Sequence, residues 1–307
     1  MNIALNLLSA RAGAGISVSQ TLMKAISLQD RENKYFVFVG NDQKDIIDAI
    51  PQSFIKIIFK VYPLNPFLRT LWEQIVLPFY VYKLKIDILY SVGNTTILLA
   101  PCKVLLFIEN SNPFTKIIKS WSFKEKIRNR LLFYLGFLSS IKATKIRFLS
   151  HRSQNIISRV YKIPNNKCFV LYHGLDFSKI SVSTKRKIPF NYILSVSVVA
   201  PHKNFEVLIQ AFSMLKKQNL YDGKLAIVGN TECYPEYFKK LNELVNKEGL
   251  NEDVFFYGSM PNSEVFSFYE NADLFVFPSL EETFGIPLIE ALYLNKTCIV
   301  SDGMKYE

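Results

Sequence analysis

The chain has 307 residues, of which 49% are hydrophobic and 21% are charged, and its formal net charge at pH 7 is +11. This length supports two domains with substantial apolar cores, and the hydrophobic content excludes a disordered protein. Four scattered cysteines and three histidines show no spacing typical of a disulfide framework or a zinc site. We therefore expect a protein of the reducing cytosol, without a structural metal.

The charge is distributed unevenly along the chain. Residues 1–180 carry 25 Lys and Arg against 10 Asp and Glu, a balance of +15, whereas the remainder carries 12 against 16, a balance of −4. This asymmetry predicts a basic N-terminal domain and an acidic second domain. No run of eighteen uninterrupted apolar residues predicts a membrane span, and residues 1–10 lack the basic leader of a signal peptide.

Apolar runs in the first half predict buried strands, with helical spacing between some of them. The predicted strands cover 2–9, 34–40, 54–59, 86–91 and 103–108. Helices are expected from near Ser17 and over 67–83, where Pro78 would kink or divide the helix. Gly13 and Gly15 follow the first strand and would let the backbone approach a ligand, although an ordinary tight turn explains a lone G-x-G equally well.

Residues 116–147 are the most basic stretch, with nine Lys or Arg, one acid (Glu125) and interleaved aromatic residues. Such a stretch is typical of a helix that lies on an anionic membrane surface. Two alternatives stay open: a solvated basic face over a core helix, and nucleic acid, for which no binding motif accompanies the charge. We expect a protein that lies peripherally at the inner face of the cytoplasmic membrane, without a nucleic-acid partner.

The second half continues the alternation of strands and helices. A strand over 144–150 precedes a helix over 151–164, with Ser150 or Ser153 as its N-cap, and another strand begins at Cys168. His173 is expected to be a turn residue rather than a general base. Further strands are predicted at 192–197, 224–229, 254–258, 275–277 and 297–302, and a short helix at 262–272. The predicted domains are 1–176 and 191–307, joined by a linker over 177–190.

Residues 275–291 read as a buried strand, a tight polar loop and a helix that starts near Pro287. Glu282 lies in the loop, and Glu290 lies eight residues later, about two turns into the predicted helix. Two carboxylates with helix N–H groups between them could hold sugar hydroxyls and a diphosphate. The alternative is that both are ordinary solvated charges near a helix start.

The segment EETFGIPLIEA resembles the E-x7-E signature of the retaining family 4 glycosyltransferases of GT-B fold. Three further segments resemble that family in the expected order, and the likeness is strongest from about Ser150 onward. They are ILSVSVVAPHKNFEVLIQAF at 193–212, LAIVGN at 225–230 and VFFYGSMPNSEVFSFYENADLFVFPS at 254–279.

The resemblance implies an α/β protein with two Rossmann-like, doubly wound parallel-sheet domains that face a cleft. It also implies metal- and cofactor-independent transfer of a sugar from a UDP- or GDP-sugar to a glycan or lipid-linked acceptor, with retention, in the synthesis of a surface polysaccharide or lipopolysaccharide. Glu282 would orient the donor sugar, Glu290 would bind the ribose, Lys203 would neutralise the diphosphate and Asn110 would hold a sugar hydroxyl. The remaining implied donor-binding residues are Gly13, Gly15, Ser197, Gly229, Met260, Phe284, Gly285 and Ile286.

The chain departs from the family pattern at several positions. Ser197 and Val198 stand where glycine and arginine are common, and Glu109 and Asn110 replace a His-Asp pair. His202 could compensate partly for the missing arginine if it were protonated. The sequence stops about 120 residues after the linker, so we expect an incomplete second domain. A non-catalytic glycosyltransferase-like subunit, an inactive fragment and a GT-B sugar-nucleotide epimerase therefore remain alternatives.

Overall fold

A computed structural model describes residues 1–11, 14–60, 66–109, 123–174 and 188–302. The chain divides into two compact units, Met1–Asp176 and Phe177–Glu307, hereafter unit 1 and unit 2. Each unit has its own parallel sheet and its own apolar core. Within the described ranges, every helix is too short or insufficiently apolar to traverse a bilayer.

Unit 1 is built on a seven-stranded parallel sheet. Its described strands are β1 (Asn2–Asn6), β2 (Lys34–Gly40), β3 (Ile55–Phe59), β4 (Ile88–Val92), β5 (Lys103–Ile108), β6 (Lys145–Phe148) and β7 (Cys168–Val170). Its described helices are α1 (Ala14–Gln29), α2 (Lys44–Asp48), α3 (Pro66–Lys83), α4 (Phe123–Lys142) and α5 (His151–Tyr161). The strand order is β3-β2-β1-β4-β5-β6-β7, so the order reverses between β1 and β4.

The reversal of strand order places the helices of unit 1 on both faces of its sheet. From β1 to β3 the chain moves towards one edge of the sheet, and from β3 to β7 it moves towards the other. Because the crossovers are right-handed, α1 and α2 lie on one face and α3, α4 and α5 on the other. Leu77 of α3 and Ile157 of α5 share one apolar core with Leu106 and Phe148 of the strands, and Phe133 of α4 packs against that core. One layer of three helices therefore covers this face.

Unit 2 is built on a five-stranded parallel sheet. Its described strands are β8 (Tyr192–Val196), β9 (Lys224–Val228), β10 (Val254–Phe256), β11 (Leu274–Phe277) and β12 (Cys298–Val300). Its described helices are α6 (Phe205–Lys217), α7 (Pro235–Glu248), α8 (Asn262–Asn271) and α9 (Ile286–Tyr293). The strand order is β10-β9-β8-β11-β12, with the reversal between β8 and β11. Ligands bind at such reversals in open α/β sheets, outside the carboxyl ends of the strands.

The α/β prediction with two parallel sheets is confirmed, and the strands at 34–40 and 103–108 have the predicted bounds. The N-cap prediction at Ser150 is confirmed, since Ser150 and Ser153 bond each other reciprocally as a capping box. The first strand is shorter than predicted because Asn6 Oδ1 accepts from the Leu8 N–H and turns the chain. The helix expected from Ser17 already begins at Ala14. Most of the predicted linker, residues 177–187, lies outside the described residues.

Candidate functional site

The reversal between β8 and β11 brings together two predicted site residues that are far apart in sequence. Lys203 follows β8 and Glu282 follows β11, and Lys203 Nζ donates to Glu282 Oε1. The side chains are 10% and 14% exposed, respectively, so the ion pair is largely desolvated. Ser279 Oγ donates to the same carboxylate oxygen at 2.9 Å. A pair of this kind costs much to break and fixes the two loops relative to each other.

Local backbone geometry presents Lys203 at this edge. Lys203 ends a 3₁₀ turn that starts at Pro201, and Asn204 then takes a left-handed conformation with φ of 57° before α6 begins. Lys203 Nζ lies 5.6 Å from the centre of the Phe277 ring, on the last residue of β11. The resemblance implied that Lys203 neutralises the diphosphate of the donor. Lys203 precedes α6 by two residues, and Glu282 already compensates its charge.

His202 lies beside Lys203 and is neutral at physiological pH. Burial and the positive charge of Lys203 lower the pKa of His202 to about 4. The backbone carbonyl of His202 accepts from the Leu280 N–H at 2.9 Å, which joins the loops after β8 and β11. A protonated His202 cannot therefore replace the missing family arginine near neutral pH.

Gly229 lies where the loops after β8, β9 and β10 meet. Its φ is +151°, and a Cβ at this position would lie 1.8 Å from the Ser197 carbonyl oxygen. Its N–H donates to the Gly258 carbonyl at 2.9 Å. The sequence prediction attributed this glycine to the approach of a base or ribose. The described structure gives a different reason, because the Ser197 backbone itself occupies the space of a side chain.

The loop that carries Glu282 ends in a left-handed residue at the start of α9. Gly285 has φ of 81° and ψ of 49° and is the N-cap, so the helix begins at Ile286, one residue before Pro287. Glu290 is the fifth helical residue and lies only just beyond the first turn. The expectation of two helical turns between the carboxylates is wrong, because residues 282–285 are not helical. Pro287 has no N–H, and the Leu288 and Ile289 N–H groups donate to the Gly285 carbonyl, so Ile286 provides the first-turn donor of α9 at the carboxyl edge of the sheet.

Glu290 is largely enclosed by the core of unit 2. Tyr269 of α8 donates its hydroxyl to Glu290 Oε2 at 3.0 Å. Burial raises the pKa of Glu290 to about 7, so this carboxyl titrates near neutral pH. Glu290 is thus a hydrogen-bonded, partly desolvated acceptor rather than a solvated helix-start charge. Tyr269 gave no sequence signal beyond that of an ordinary aromatic core residue.

Three further predicted donor residues of unit 2 are half-buried. Met260 is half-buried and packs against the apolar core. Phe284 and Ile286 are half-buried on either side of Gly285.

The predicted residues of unit 1 are placed only in part. Gly13 and Asn110 lie outside the described residues. Gly15 is the second residue of α1 rather than a loop residue, and a Cβ there would make an ordinary contact of 3.5 Å with Ala10. Gly15 is therefore not required by backbone geometry. Glu109 follows β5, its N–H donates to Asn94 Oδ1 at 2.9 Å, and burial raises the pKa of its carboxyl.

Arg147 corrects the interpretation of the basic stretch 116–147. Arg147 was included among the basic residues of the predicted membrane-facing stretch. The residue is only 5% exposed and lies inside β6. Its guanidinium donates to the Tyr90 hydroxyl at 2.8 Å and to the carbonyls of Leu171 and Tyr172, and it lies 4.4 Å from the centre of the Phe107 ring. Arg147 thus orders the carboxyl edge of unit 1.

His173 is a buried residue of the same edge. Its ring packs edge-on against Phe107, with ring centres 5.6 Å apart. Burial and the nearby charge of Arg147 lower the pKa of His173 to about 3. A neutral imidazole in this setting agrees with the prediction that His173 is not a general base.

A polar group on α3 was not selected from the sequence as a site. Arg69 Nε lies 3.4 Å from Glu73 Oε1. Burial raises the pKa of Glu73 to about 7, while Arg69 and a hydrogen bond from Asn6 at the end of β1 oppose that shift. Trp72 lies edge-on to Phe59, with ring centres 5.0 Å apart. The spacing of Arg69 and Glu73 is that of an ion pair on one helix face.

Within the described ranges, the acidic, histidine and cysteine side chains form no group of three that could hold a metal ion. Lys203, Glu282 and Glu290 at the edge of unit 2 can offer charge pairing and hydrogen bonds to a ligand.

Comparisons with known proteins find similarity to a family in the second part of the chain. Residues 176–306 match the family described as Glycosyl transferases group 1. The O-antigen chain mannosyltransferase RfbU of Salmonella typhimurium is 25% identical over 227 residues, which cover 73% of this chain and 61% of that protein. The serotype-specific mannosyltransferase WbdA of Escherichia coli is 35% identical over 115 residues, which cover 36% of this chain and 14% of that protein.

A solved structure of similar fold covers both units. HepE of Anabaena, solved in complex with UDP and glucose, is 16% identical, and the match covers 100% of this chain and 83% of that one with a TM-score of 0.73. The two parallel Rossmann-like sheets and this likeness confirm the GT-B fold class. Residues 176–306, somewhat less than half of the chain, are thus similar to the family described as Glycosyl transferases group 1.

Proposed function

We propose that the chain is the catalytic part of a glycosyltransferase that moves a sugar from a nucleoside-diphosphate sugar to a glycan or lipid-linked acceptor, with retention and without a metal. The single observation that carries this proposal is the meeting of Lys203 and Glu282 at the strand reversal of unit 2. This pair lies within the segment that matches the family. The O-antigen chain mannosyltransferase RfbU and the serotype-specific mannosyltransferase WbdA favour mannose as the sugar, and RfbU favours a surface polysaccharide as the product.

The proposed roles follow from the chemistry of the edge. Glu282 accepts hydrogen bonds from sugar hydroxyls, and Lys203, which it holds in place, stabilises the departing diphosphate together with the Ile286 N–H at the start of α9. Glu290 accepts from the ribose hydroxyls next to Tyr269. Binding of a diphosphate requires Lys203 to share its charge between the phosphate and Glu282. UDP and GDP are the nucleotides that we propose for the donor.

The experiment is a transfer assay with GDP-mannose and UDP-glucose as donors, a lipid-linked glycan as acceptor and EDTA present throughout. Product configuration is read from the anomeric proton by NMR. Transfer with retained configuration in EDTA, lost in Glu282→Gln, is the expected result. Inverted product contradicts the retaining mechanism, and transfer that requires an added divalent cation contradicts metal independence.

A second candidate is a non-catalytic glycosyltransferase-like subunit. Two specific observations favour it: Glu282 already neutralises Lys203, and Val198 stands where the family commonly has an arginine. A chain of this kind would bind a nucleotide weakly and transfer nothing in the same assay. The GT-B fold itself does not separate transfer from epimerisation, so that alternative is decided by the reaction product alone.

A further inference from the structure

The outward surface of α3 in unit 1 carries a row of large apolar side chains. Leu68, Leu71, Ile75, Phe79 and Tyr82 are 50%, 52%, 68%, 61% and 74% exposed. Spacings of three and four residues align them in one stripe, hereafter the α3 stripe, that extends over about 21 Å. Single exposed hydrophobic residues need no explanation, whereas a contiguous row marks an interaction surface.

The polarity of α3 is inverted, because its charged pair faces the protein. Arg69 and Glu73 form an ion pair, and their side chains are only 14% and 15% exposed. The inward side of α3 also carries apolar residues, since Leu77 and Val81 are buried in the core. A helix that covers a sheet normally presents charged residues to water. Exposure of the α3 stripe to water is therefore unfavourable, and contact with an apolar partner would bury these side chains.

The neighbouring helix α4 presents a second apolar row. Ile127, Tyr134, Leu138 and Ile141 are 55%, 53%, 44% and 59% exposed and follow spacings of seven, four and three residues. We refer to this row as the α4 stripe. Since α3 and α4 belong to the same helical layer, both stripes face away from the same side of the sheet.

One segment of chain ties α3 to α4. Gln74 Nε2 of α3 donates to the Thr96 carbonyl at 3.0 Å, and the Thr96 N–H donates to Ser139 Oγ of α4 at 3.0 Å. Leu99, three residues further on, is 79% exposed. The two stripes are thus held on a common support and can act together.

We propose that the α3 and α4 stripes form one docking surface for an anionic lipid bilayer. The exposed Lys83 and Lys85 follow the α3 stripe, and the exposed Arg130 lies on α4. The only acid of α3 is Glu73, which faces inward. Apolar side chains that enter the acyl boundary, with cations beside them, match a bilayer of acidic lipids. The inference rests on the proposed function, in which the acceptor is lipid-linked.

A second copy of the chain is a poorer occupant of this surface. The first 180 residues carry a balance of +15. A two-fold interface through the stripes would bring Lys83, Lys85 and Arg130 of both copies together, and that repulsion opposes association. A bilayer with anionic headgroups instead attracts this charge.

The experiment is flotation of the full chain with vesicles of phosphatidylethanolamine and phosphatidylglycerol, and with vesicles of phosphatidylcholine alone. The test variant is Leu71→Ser/Ile75→Ser/Phe79→Ser. The matched control is Leu28→Ser/Val207→Ser/Leu220→Ser, which removes three apolar side chains that are 67%, 51% and 67% exposed elsewhere. Circular dichroism confirms that both variants are folded, and light scattering gives their oligomeric state.

We expect the test variant to partition onto anionic vesicles at least about tenfold more weakly than the control variant, as expected for three lost apolar insertions. Lys83→Gln/Arg130→Gln should weaken binding to anionic vesicles and leave binding to phosphatidylcholine unchanged. Equal binding of the test and control variants overturns the proposal. A change from dimer to monomer with unchanged vesicle binding also overturns it and identifies a second copy as the occupant.

Nucleotide binding is measured on the same samples and tests the proposed function separately. The substitutions in the α3 stripe change unit 1. The proposed donor residues Lys203, Glu282 and Glu290 lie in unit 2 and stay unchanged. Loss of vesicle binding with unchanged nucleotide binding supports the docking surface. Failure to bind any nucleotide contradicts the donor site and leaves the vesicle comparison decisive for the surface.

Discussion

Lys203 Nζ donates to Glu282 Oε1 across 79 residues of chain, and the pair closes the carboxyl edge of the unit 2 sheet at its strand reversal. The two residues lie in different loops, so the contact between them exists only once β8 and β11 lie side by side. The same two residues are those that the proposed function assigns to the diphosphate and the donor sugar. Folding of unit 2 and formation of its site are therefore coupled.

Lys203→Met should destabilise unit 2 by about 3 kcal/mol, because it leaves the Glu282 carboxylate desolvated without its cation. Lys203→Met/Glu282→Gln should recover most of that loss. Both tryptophans, Trp72 and Trp121, lie in unit 1, so urea unfolding followed by circular dichroism should shift while the tryptophan fluorescence transition does not. A double variant as unstable as the single variant would show that the pair is not the source of the effect.

Stability should depend on the ionisation of Glu290. The unfolded carboxyl has a pKa near 4.5 and the folded one has a pKa of about 7, because burial penalises the charged form. Between these values the folded state holds more protons, so the free energy of unfolding falls as pH rises through this window, by up to about 3 kcal/mol. Glu290→Gln should remove this slope from urea titrations of unit 2 between pH 4.5 and 8. An unchanged slope would assign it to other groups.

Gly229→Ala should destabilise unit 2 by several kcal/mol, about 3 or more, because the new Cβ would meet the Ser197 carbonyl at 1.8 Å. Gly258→Ala is the matched control, since its φ is also positive, at +69°, but nothing lies within 4 Å of its Cβ. We expect that control to lose about 1 kcal/mol from backbone conformation alone. Equal losses in urea unfolding would refute the steric explanation.

Arg147→Lys should destabilise unit 1 by about 2–4 kcal/mol. Lysine keeps the charge but cannot reproduce the planar fork that reaches the Tyr90 hydroxyl and the carbonyls of Leu171 and Tyr172. The tryptophan fluorescence transition should move to lower urea, and nucleotide binding by unit 2 should be unaffected in native conditions. A variant of unchanged stability would restore the sequence interpretation of Arg147 as a surface cation.

His202→Gln should leave the pH dependence of nucleotide binding unchanged between pH 5.5 and 8. Burial and Lys203 hold the pKa of His202 at about 4, so the wild-type ring stays neutral over this range. Calorimetric titrations of UDP and GDP at several pH values provide the measurement. Stronger binding below pH 6.5 that disappears in the variant would mean that the ring does become protonated next to the ligand.

The strands of both sheets could be predicted because parallel strands buried on both faces are short apolar runs, as at 34–40 and 103–108. The loop and helix around Glu282 and Glu290 could be predicted from proline and glycine positions, within one residue at Pro287. Pair formation between Lys203 and Glu282 could not, since it depends on which strands become neighbours. Arg147 was misassigned because composition shows the charge of a segment and not the direction of each side chain.

The inverted polarity of α3 could not be predicted from the sequence. Its apolar residues occupy nearly every position, so no periodicity separates the core side from the outer side. The distinction appears only when Leu77 and Val81 are seen to face the sheet. The basic residues of 116–147 predicted a membrane-facing helix at α4, whereas the longer exposed apolar row lies on α3.

The most direct test of the central claim is isothermal titration calorimetry of UDP, GDP and ADP with the 307-residue chain, alongside Lys203→Met/Glu282→Gln and Glu290→Gln. The double variant retains a compensated loop without the charged pair, so a loss of binding cannot be attributed to an orphaned carboxylate. We predict micromolar binding of UDP or GDP that is at least tenfold weaker in both variants, or roughly 1.4 kcal/mol. Absence of binding by the folded chain, or equal binding by all three proteins, would contradict a donor site at this edge.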